Sequence, residues 1–120
     1  MRSSEELRFV IDFEVTDLAT FRKAVADAVE VSRGEPGTLL YDWYIDDASG
    51  HARLYEAYES ADAITAHAEG KVFTEIGPVL FSCSKVTHID AYGDPEVQKV
   101  AELLGPITLW GKPFEALDAT

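Results

Sequence analysis

The sequence contains a single cysteine, which excludes two kinds of stabilisation at once. Cys83 has no partner for an intrachain disulfide, and one thiolate cannot build a metal cluster within one chain. It follows Leu80, Phe81 and Ser82, an apolar setting typical of a buried and unreactive thiol. We therefore expect a reducing compartment, with the cytoplasm as the default location.

Basic residues are scarce as well. The 120 residues include 10 Lys and Arg against 22 Asp and Glu, a formal net charge of -12. Such a surface repels phosphate backbones and anionic bilayers, so nucleic acid and membrane partners are not expected. No apolar run approaches the roughly 18 residues of a membrane span. The opening residues, MRSSEELRFV, also lack the apolar stretch of a signal peptide.

Sequence motifs that indicate a particular enzymatic reaction are missing too. The eight glycines are scattered, no GxGxxG follows a strand, and no GxSxG nucleophile motif occurs. The three histidines, His51, His67 and His88, show no HxH or HExxH spacing. His88 with Asp90 resembles half a metal site, but a metal centre needs more converging ligands. We predict no metal.

The patterns that are present predict an α+β fold. Leu7 to Val15 alternates between apolar and polar residues, which is typical of a strand, and residues 18–29 repeat at helical spacing. The whole chain reads as β-α-β-β-α-α-β-α-β. Its first seven elements match the split βαβ arrangement of a ferredoxin-like fold, with a four-stranded antiparallel sheet and helices on one face. Gly77 and Pro78 are expected to split the sixth element.

We predict one domain over residues 1–120, with a core at about 7–92 and a C-terminal helix-strand extension at about 94–110. Asp94, Pro95 and Glu96 are typical of a helix start, and Val97, Val100, Ala101 and Leu104 form its apolar stripe. Helices on one side leave the other face of the sheet uncovered although it carries Trp, Tyr, Leu or Val. Exposed apolar area of this kind marks interfaces. We predict a homodimer packed through the sheet faces.

The stretch from Glu35 to Phe73 carries a family resemblance. It combines a Glu35-Pro36-Gly37 turn before the second strand, Glu56 and Tyr58 ending the third strand, and an Asp- and Ala-containing helix leading to His67. These features resemble the dimeric α+β barrel superfamily and, within it, the antibiotic-biosynthesis-monooxygenase-like domains that include quinol monooxygenases. The resemblance covers about residues 7–92, and the extension is similar to one found in a subset of such proteins.

The resemblance implies a small cofactor-independent monooxygenase. Enzymes of the group oxidise quinols or anthrone-type phenols with molecular oxygen and use neither flavin nor metal, so no cofactor is expected. Such a reaction needs a base for the phenol proton, a polar group for the oxyanion and an aromatic wall. Two alternatives stay open: a non-catalytic dimer that binds a small hydrophobic molecule, and a different enzyme on the same fold, such as a muconolactone-type isomerase.

His67 and Glu56 are the candidate catalytic residues. The resemblance places a histidine where His67 stands, and an imidazole suits proton transfer at cellular pH. Glu56 lies among apolar neighbours, where an unpaired carboxylate is costly to bury, and it could set the tautomer of His67. The alternative for both is structural: a histidine held by a strand carboxylate such as Glu56, and a glutamate that fixes His67 or a helix end.

Aromatic residues are the candidate substrate-binding wall. Trp43, Tyr44, Tyr58 and Phe73 could enclose a flat aromatic molecule, although aromatics at strand spacing are also typical of plain core or of a dimer interface. The buried hydroxyls of Tyr44 and Tyr58 would need partners.

Haem degradation, known among relatives, is not expected. The position matching their histidine ligand is Gly77, strand one has no asparagine, and strand three ends in Tyr58 rather than tryptophan.

Overall fold

The computed structural model describes residues 5–117, and of Val100 the backbone alone. The strands are β1 (Leu7–Val15), β2 (Thr38–Asp46), β3 (His51–Tyr58), β4 (Ser84–Tyr92) and β5 (Ile107–Gly111). The helices are α1 (Leu18–Ser32), α2 (Ala61–Glu69), α3 (Gly77–Ser82) and α4 (Pro95–Gln98). A π-helical turn, Val72–Ile76, precedes α3, and a 3₁₀ turn, Lys99–Leu103, follows α4.

The sheet has the strand order β2-β3-β1-β4-β5. Its first four strands are antiparallel and reproduce the predicted ferredoxin-like arrangement, which confirms that part of the fold prediction. The prediction of four strands is wrong, because β5 adds to the free edge of β4 in parallel. The 14 residues between Tyr92 and Ile107 supply the crossover that a parallel pair requires, and the pairing covers an edge that would otherwise be open.

The helices begin at residues whose side chains suit a helix start. Asp17 caps α1 by accepting from Thr20 N, and Ser60 caps α2 by accepting from Ala63 N. Gly77 and Pro78 end the π-helical turn and begin α3, so the sixth element is split as expected. Among residues 5–117, no helix combines the length and the hydropathy needed to cross a membrane.

The extension differs in detail from a regular helix. Asp94 caps α4 as predicted, but α4 spans only four residues before the chain tightens into the 3₁₀ turn. Gln98 is fully buried, and its side-chain amide donates to the carbonyls of Arg8 and Tyr92. Ala101 and Leu104 still pack on the core, whereas the side chain of Val100 lies outside the described residues. The extension is therefore tied to β1 and β4.

Strand alternation separates two sheet faces. The inner face, which the helices cover, is the centre of the core and includes Phe9, Ile11, Leu54 and Ile89. The outer face carries Arg8, Asp12, Arg53, His88 and Asp90, together with exposed aromatic rings. Sheet-to-sheet dimerisation through the outer face stays a prediction.

Candidate active site

A cavity of about 240 Å³ lies between the inner face and the segment running from α2 to α3. Strands β1 to β4 form its floor, α2, the π-helical turn and α3 its roof, and the extension one end. The wall is apolar except for a few side chains that carry a polar group: Tyr41, Trp43, Glu56, Tyr58 and His67. An apolar pocket with a few converging polar groups is typical of a small-molecule site.

His67 reaches this cavity from the last turn of α2. Small residues, among them the buried Ala63, let the helix lie close to the sheet, and the His67 side chain is only 4% exposed. Its ring lies 5.3 Å from the ring of Tyr58, 5.4 Å from that of Tyr41 and 5.6 Å from that of Phe73, measured between centroids. Packing on three sides fixes the imidazole.

The hydrogen-bond partner of His67 is Glu35. Nδ1 lies 2.7 Å from Glu35 Oε1, and the Thr38 hydroxyl donates to the same oxygen at 3.1 Å. Because a carboxylate only accepts, Nδ1 carries the hydrogen, and in the neutral ring Nε2 keeps its lone pair. Among the described residues Nε2 makes no hydrogen bond. The lone pair on Nε2 is thus available to accept a hydrogen bond from a molecule in the cavity.

Two glycines allow the Glu35 turn to approach α2. Gly37 has a φ of +89°, and a Cβ at this position would lie 2.7 Å from the Ala63 Cβ. A Cβ on Gly70 would lie 3.2 Å from Glu35 Oε2. A side chain at either position would push the turn and the helix apart, so these glycines set the distance between Glu35 and His67.

Glu56 has a different partner from the predicted one. The prediction that it binds His67 is wrong, because its Oε1 accepts from the Tyr58 hydroxyl at 2.5 Å. Burial raises the pKa of Glu56, although the Tyr58 hydrogen bond and the neighbouring His67 oppose the increase. Burial thus increases the affinity of this carboxyl group for a proton.

The tyrosines beside it remain phenols. Burial raises the pKa of Tyr58 and that of Tyr41 far above the usual range, and the charge of Glu56 adds to both increases. Both therefore remain protonated hydroxyl groups at neutral pH, each with one hydrogen to donate. The indole Nε1 of Trp43 is buried without a hydrogen-bond partner among the described residues.

The structure brings five of the six predicted site residues together. His67, Glu56, Trp43, Tyr58 and Phe73 all line the cavity. Tyr44 does not, which corrects its place in the predicted wall. It follows Trp43 on β2, so strand alternation turns it to the outer face, where it is 58% exposed.

The remaining reactive side chains lie outside the cavity. His51 and His88 are on the outer face, where they contact Asp12 and Asp90 respectively. Within the described part of the chain, no three His, Cys, Asp or Glu residues are grouped to hold a metal ion. Cys83 is buried, and burial raises the pKa of its thiol.

Sequence reasoning missed Glu35 and the contribution of the extension. Glu35 was identified as part of the turn that carries the resemblance, but not as a site residue. Its signal was present: an acidic side chain directly before Pro36 and Gly37, in a turn that leads into a pocket strand. Ala101, Leu103 and Leu104 also line the cavity, although their sequence pattern indicated only a helix packed on the core.

Known structures share this fold. MupZ from Pseudomonas fluorescens superposes with a TM-score of 0.73 at 18% identity, covering 94% of this chain and 96% of MupZ. SnoaB, a cofactor-independent oxygenase from Streptomyces nogalater, gives 0.64 at 18% identity, covering 72% and 90%. A putative antibiotic biosynthesis monooxygenase from Caulobacter crescentus CB15 gives 0.63 at 23% identity, covering 72% and 87%. At these identities the likeness concerns the fold alone.

The sequence itself decides the family. No curated protein matches it, but residues 10–77, more than half of the chain, match the family model for antibiotic biosynthesis monooxygenase. The match includes the Glu35 turn, Glu56, Tyr58 and His67. The chain therefore belongs to the antibiotic biosynthesis monooxygenase family.

Proposed function

We propose that this protein is a small monooxygenase that oxidises a phenolic or quinol-type aromatic molecule with molecular oxygen and without a cofactor. One observation carries the proposal: a largely buried His67–Glu35 pair lies at a cavity with an aromatic and apolar lining. The description of SnoaB as a cofactor-independent oxygenase shows that this fold can host such a reaction.

His67 is the base in this proposal. The substrate hydroxyl lies against Nε2 and transfers its proton to the imidazole, and Glu35 stabilises the imidazolium that forms. A carboxylate at Nδ1 also fixes the tautomer, as it does in other proton-transfer sites. Removal of the proton makes the ring electron-rich, which is the condition for its reaction with oxygen.

The electrons for the reaction come from the substrate. Oxygen adds to a ring carbon of the phenolate, and the peroxide anion takes up the proton held by His67 to form a hydroperoxide. The neutral imidazole then accepts the carbon-bound proton while the O–O bond breaks, which leaves a carbonyl, and the hydroxide released is protonated to water. One oxygen atom enters the product, the other leaves as water, and all four electrons derive from the organic molecule. The hydroxyl group of Tyr41 can stabilise the oxyanion, and Glu56 can supply the proton for the departing water.

Oxygen consumption tests this function. We expect uptake with at least one member of a panel of hydroquinones, anthrones and catechols, and a loss of about 100-fold or more in kcat for His67→Ala. Glu35→Gln should lose about tenfold or more, because an amide does not stabilise the imidazolium as a carboxylate does. His51→Ala is the matched control, since His51 lies on the outer face, and should retain activity.

Two outcomes contradict this proposal. Equal uptake by the wild type and His67→Ala removes His67 from the chemistry. Tight binding of panel members with no uptake favours the alternative of a binding protein. Imidazole ¹⁵N chemical shifts give an independent check on Glu35, because they report whether Nδ1 carries the hydrogen and whether Glu35→Gln disturbs that tautomer.

The proposal includes a homodimer formed through the outer face. Tyr44, Tyr92 and Trp110 are exposed there, and the rings of Tyr92 and Trp110 stack at 6.4 Å. Exposed aromatic surface beside charged pairs is typical of interfaces. Light scattering at micromolar concentration should give twice the mass of the chain, and a monomer would contradict this assembly.

A further inference from the structure

The cavity has a polar end and an apolar end. Every lining side chain with a polar group belongs to β2, β3 or α2, on one side of the sheet. The lining from β1, β4, α3 and the extension is apolar throughout. A molecule that fills the cavity therefore meets hydrogen-bonding groups at one end and only hydrocarbon at the other.

The extension borders the apolar end. It lies beyond the residues that match the family model, and it is held at both ends. Gln98 is bonded to two carbonyls, and the carbonyl of Pro106 accepts from Ile89 N at 2.8 Å. A Cβ on Gly105 would lie 2.8 Å from a Val86 methyl group, so the chain there lies directly on β4. Between these anchors the 3₁₀ turn borders the cavity.

Two side chains mark where the cavity opens. Leu103 on the 3₁₀ turn and Phe81 on α3 both line the cavity, yet they are 85% and 40% exposed. They are the exposed large apolar side chains of the lining, and their exposure indicates an opening, or mouth, at the apolar end. The enclosed volume, about 240 Å³, lies below the roughly 300–1,000 Å³ of most ligand pockets, so a larger apolar molecule would extend through this mouth.

We propose that the substrate is an amphiphilic phenol whose hydroxylated ring binds at the polar end and whose apolar substituent leaves between Phe81 and Leu103. Leu103 is then a specificity-determining residue supplied by the extension. The placement of the ring rests on the function proposed above, whereas the placement of the substituent rests on the cavity alone.

Binding of 4-alkylphenols, from ethyl to octyl, tests the proposal by calorimetry without turnover. For the wild type, affinity should increase by up to about fourfold for each methylene that the protein encloses. Leu103→Glu should leave 4-ethylphenol binding unchanged and weaken 4-octylphenol binding by tenfold or more. Leu39→Glu is the matched control, because Leu39 is a half-exposed leucine on β2 that does not line the cavity, and it should leave the series unchanged.

The readout separates this inference from the oxygenase function. The proposed mouth is wrong if affinity does not change with chain length. It is also wrong if Leu103→Glu weakens the binding of 4-ethylphenol and of 4-octylphenol equally. Chain-length-dependent binding without oxygen uptake supports the mouth and contradicts the oxygenase. Oxygen uptake together with an affinity that does not depend on chain length supports the oxygenase and contradicts the mouth. Thermal unfolding of each variant confirms that the change at an exposed leucine left the fold intact.

Discussion

The two faces of the sheet arise from the same alternation of side chains, but they differ in the number and the exposure of their polar groups. On the inner face, polar groups are few and largely buried, and Glu56 is paired with Tyr58 there. On the outer face they are numerous and half-exposed: Arg53 binds Asp12 at 2.7 Å, and the Trp110 indole binds Asp90 at 2.9 Å. Exposed pairs of this kind contribute little to stability.

The difference favours the inner face for the proposed chemistry. A buried carboxyl group such as Glu56 destabilises the fold relative to an apolar side chain, so its position in a cavity wall indicates a use other than packing. Asp12, in contrast, keeps access to water and to two cationic partners, Arg53 and His51. Burial would raise its pKa, but the hydrogen bonds to these partners lower it. The pKa of an acidic side chain is thus raised on the inner face, at Glu56, and lowered on the outer face, at Asp12.

The largest expected effect concerns packing. Tyr58 is 1% exposed on the inner face, so Tyr58→Ala should lower the free energy of unfolding by about 3–5 kcal/mol. Tyr44→Ala on the outer face should lower it by less than about 1 kcal/mol. Urea unfolding of both variants measures the contrast.

If Tyr58→Ala and Tyr44→Ala lowered the free energy of unfolding equally, the predicted difference in packing between the two faces of a single chain would be wrong. The dependence of the Tyr44 loss on protein concentration is then informative, because a second copy that covers the outer face makes that loss larger in the dimer.

A smaller effect is expected at the turn that holds Glu35. Gly37→Ala combines a positive φ with a Cβ that would lie 2.7 Å from the Ala63 Cβ, so it should cost about 1–3 kcal/mol of unfolding free energy. Gly34→Ala is the control, because Gly34 has no positive φ and a Cβ there would lie 3.7 Å from the nearest atom. Its effect should stay within about 1 kcal/mol of zero. Thermal unfolding distinguishes the two variants, and a Gly37→Ala variant as stable as Gly34→Ala would show that the turn can relax.

The sequence was sufficient for those parts of the fold that local patterns determine. Alternation along β1, the Ser60 and Asp94 caps and the break at Gly77 are all encoded within a few residues, and all are present in the structure. β5 shows the limit. Its residues predicted a strand or an arm, but the edge to which it would add depended on a crossover whose path no local pattern states.

The site shows the same limit at the level of single side chains. Periodicity placed Glu56 and Tyr58 on one face of β3, and that placement holds because alternation leaves little choice. It could not show that Glu56 binds Tyr58 while Glu35 binds His67, since all four residues meet only when the turn after α1 packs against α2. Pairing among several candidate acids is a tertiary property.

The smallest expected effect concerns the sign of a pH dependence, and it bears most directly on the contrast between the faces. The folded-state pKa of Glu56 is raised, so folding favours its protonated form. Its contribution is fully present below the unfolded pKa of about 4.3 and is lost as pH rises through the folded pKa. Glu56→Gln should therefore gain stability relative to the wild type as pH increases from about 4 to 8.

Asp12→Asn should show the opposite sign. The folded-state pKa of Asp12 is lowered, so its contribution is present above the unfolded pKa of about 3.9 and is lost as pH falls through the folded pKa. Urea unfolding from pH 3 to 8 should show a constant deficit for Asp12→Asn above about pH 5 that narrows in acid, while the advantage of Glu56→Gln grows toward neutral pH. Parallel curves for the two variants would mean that the two faces do not differ in how they bind protons.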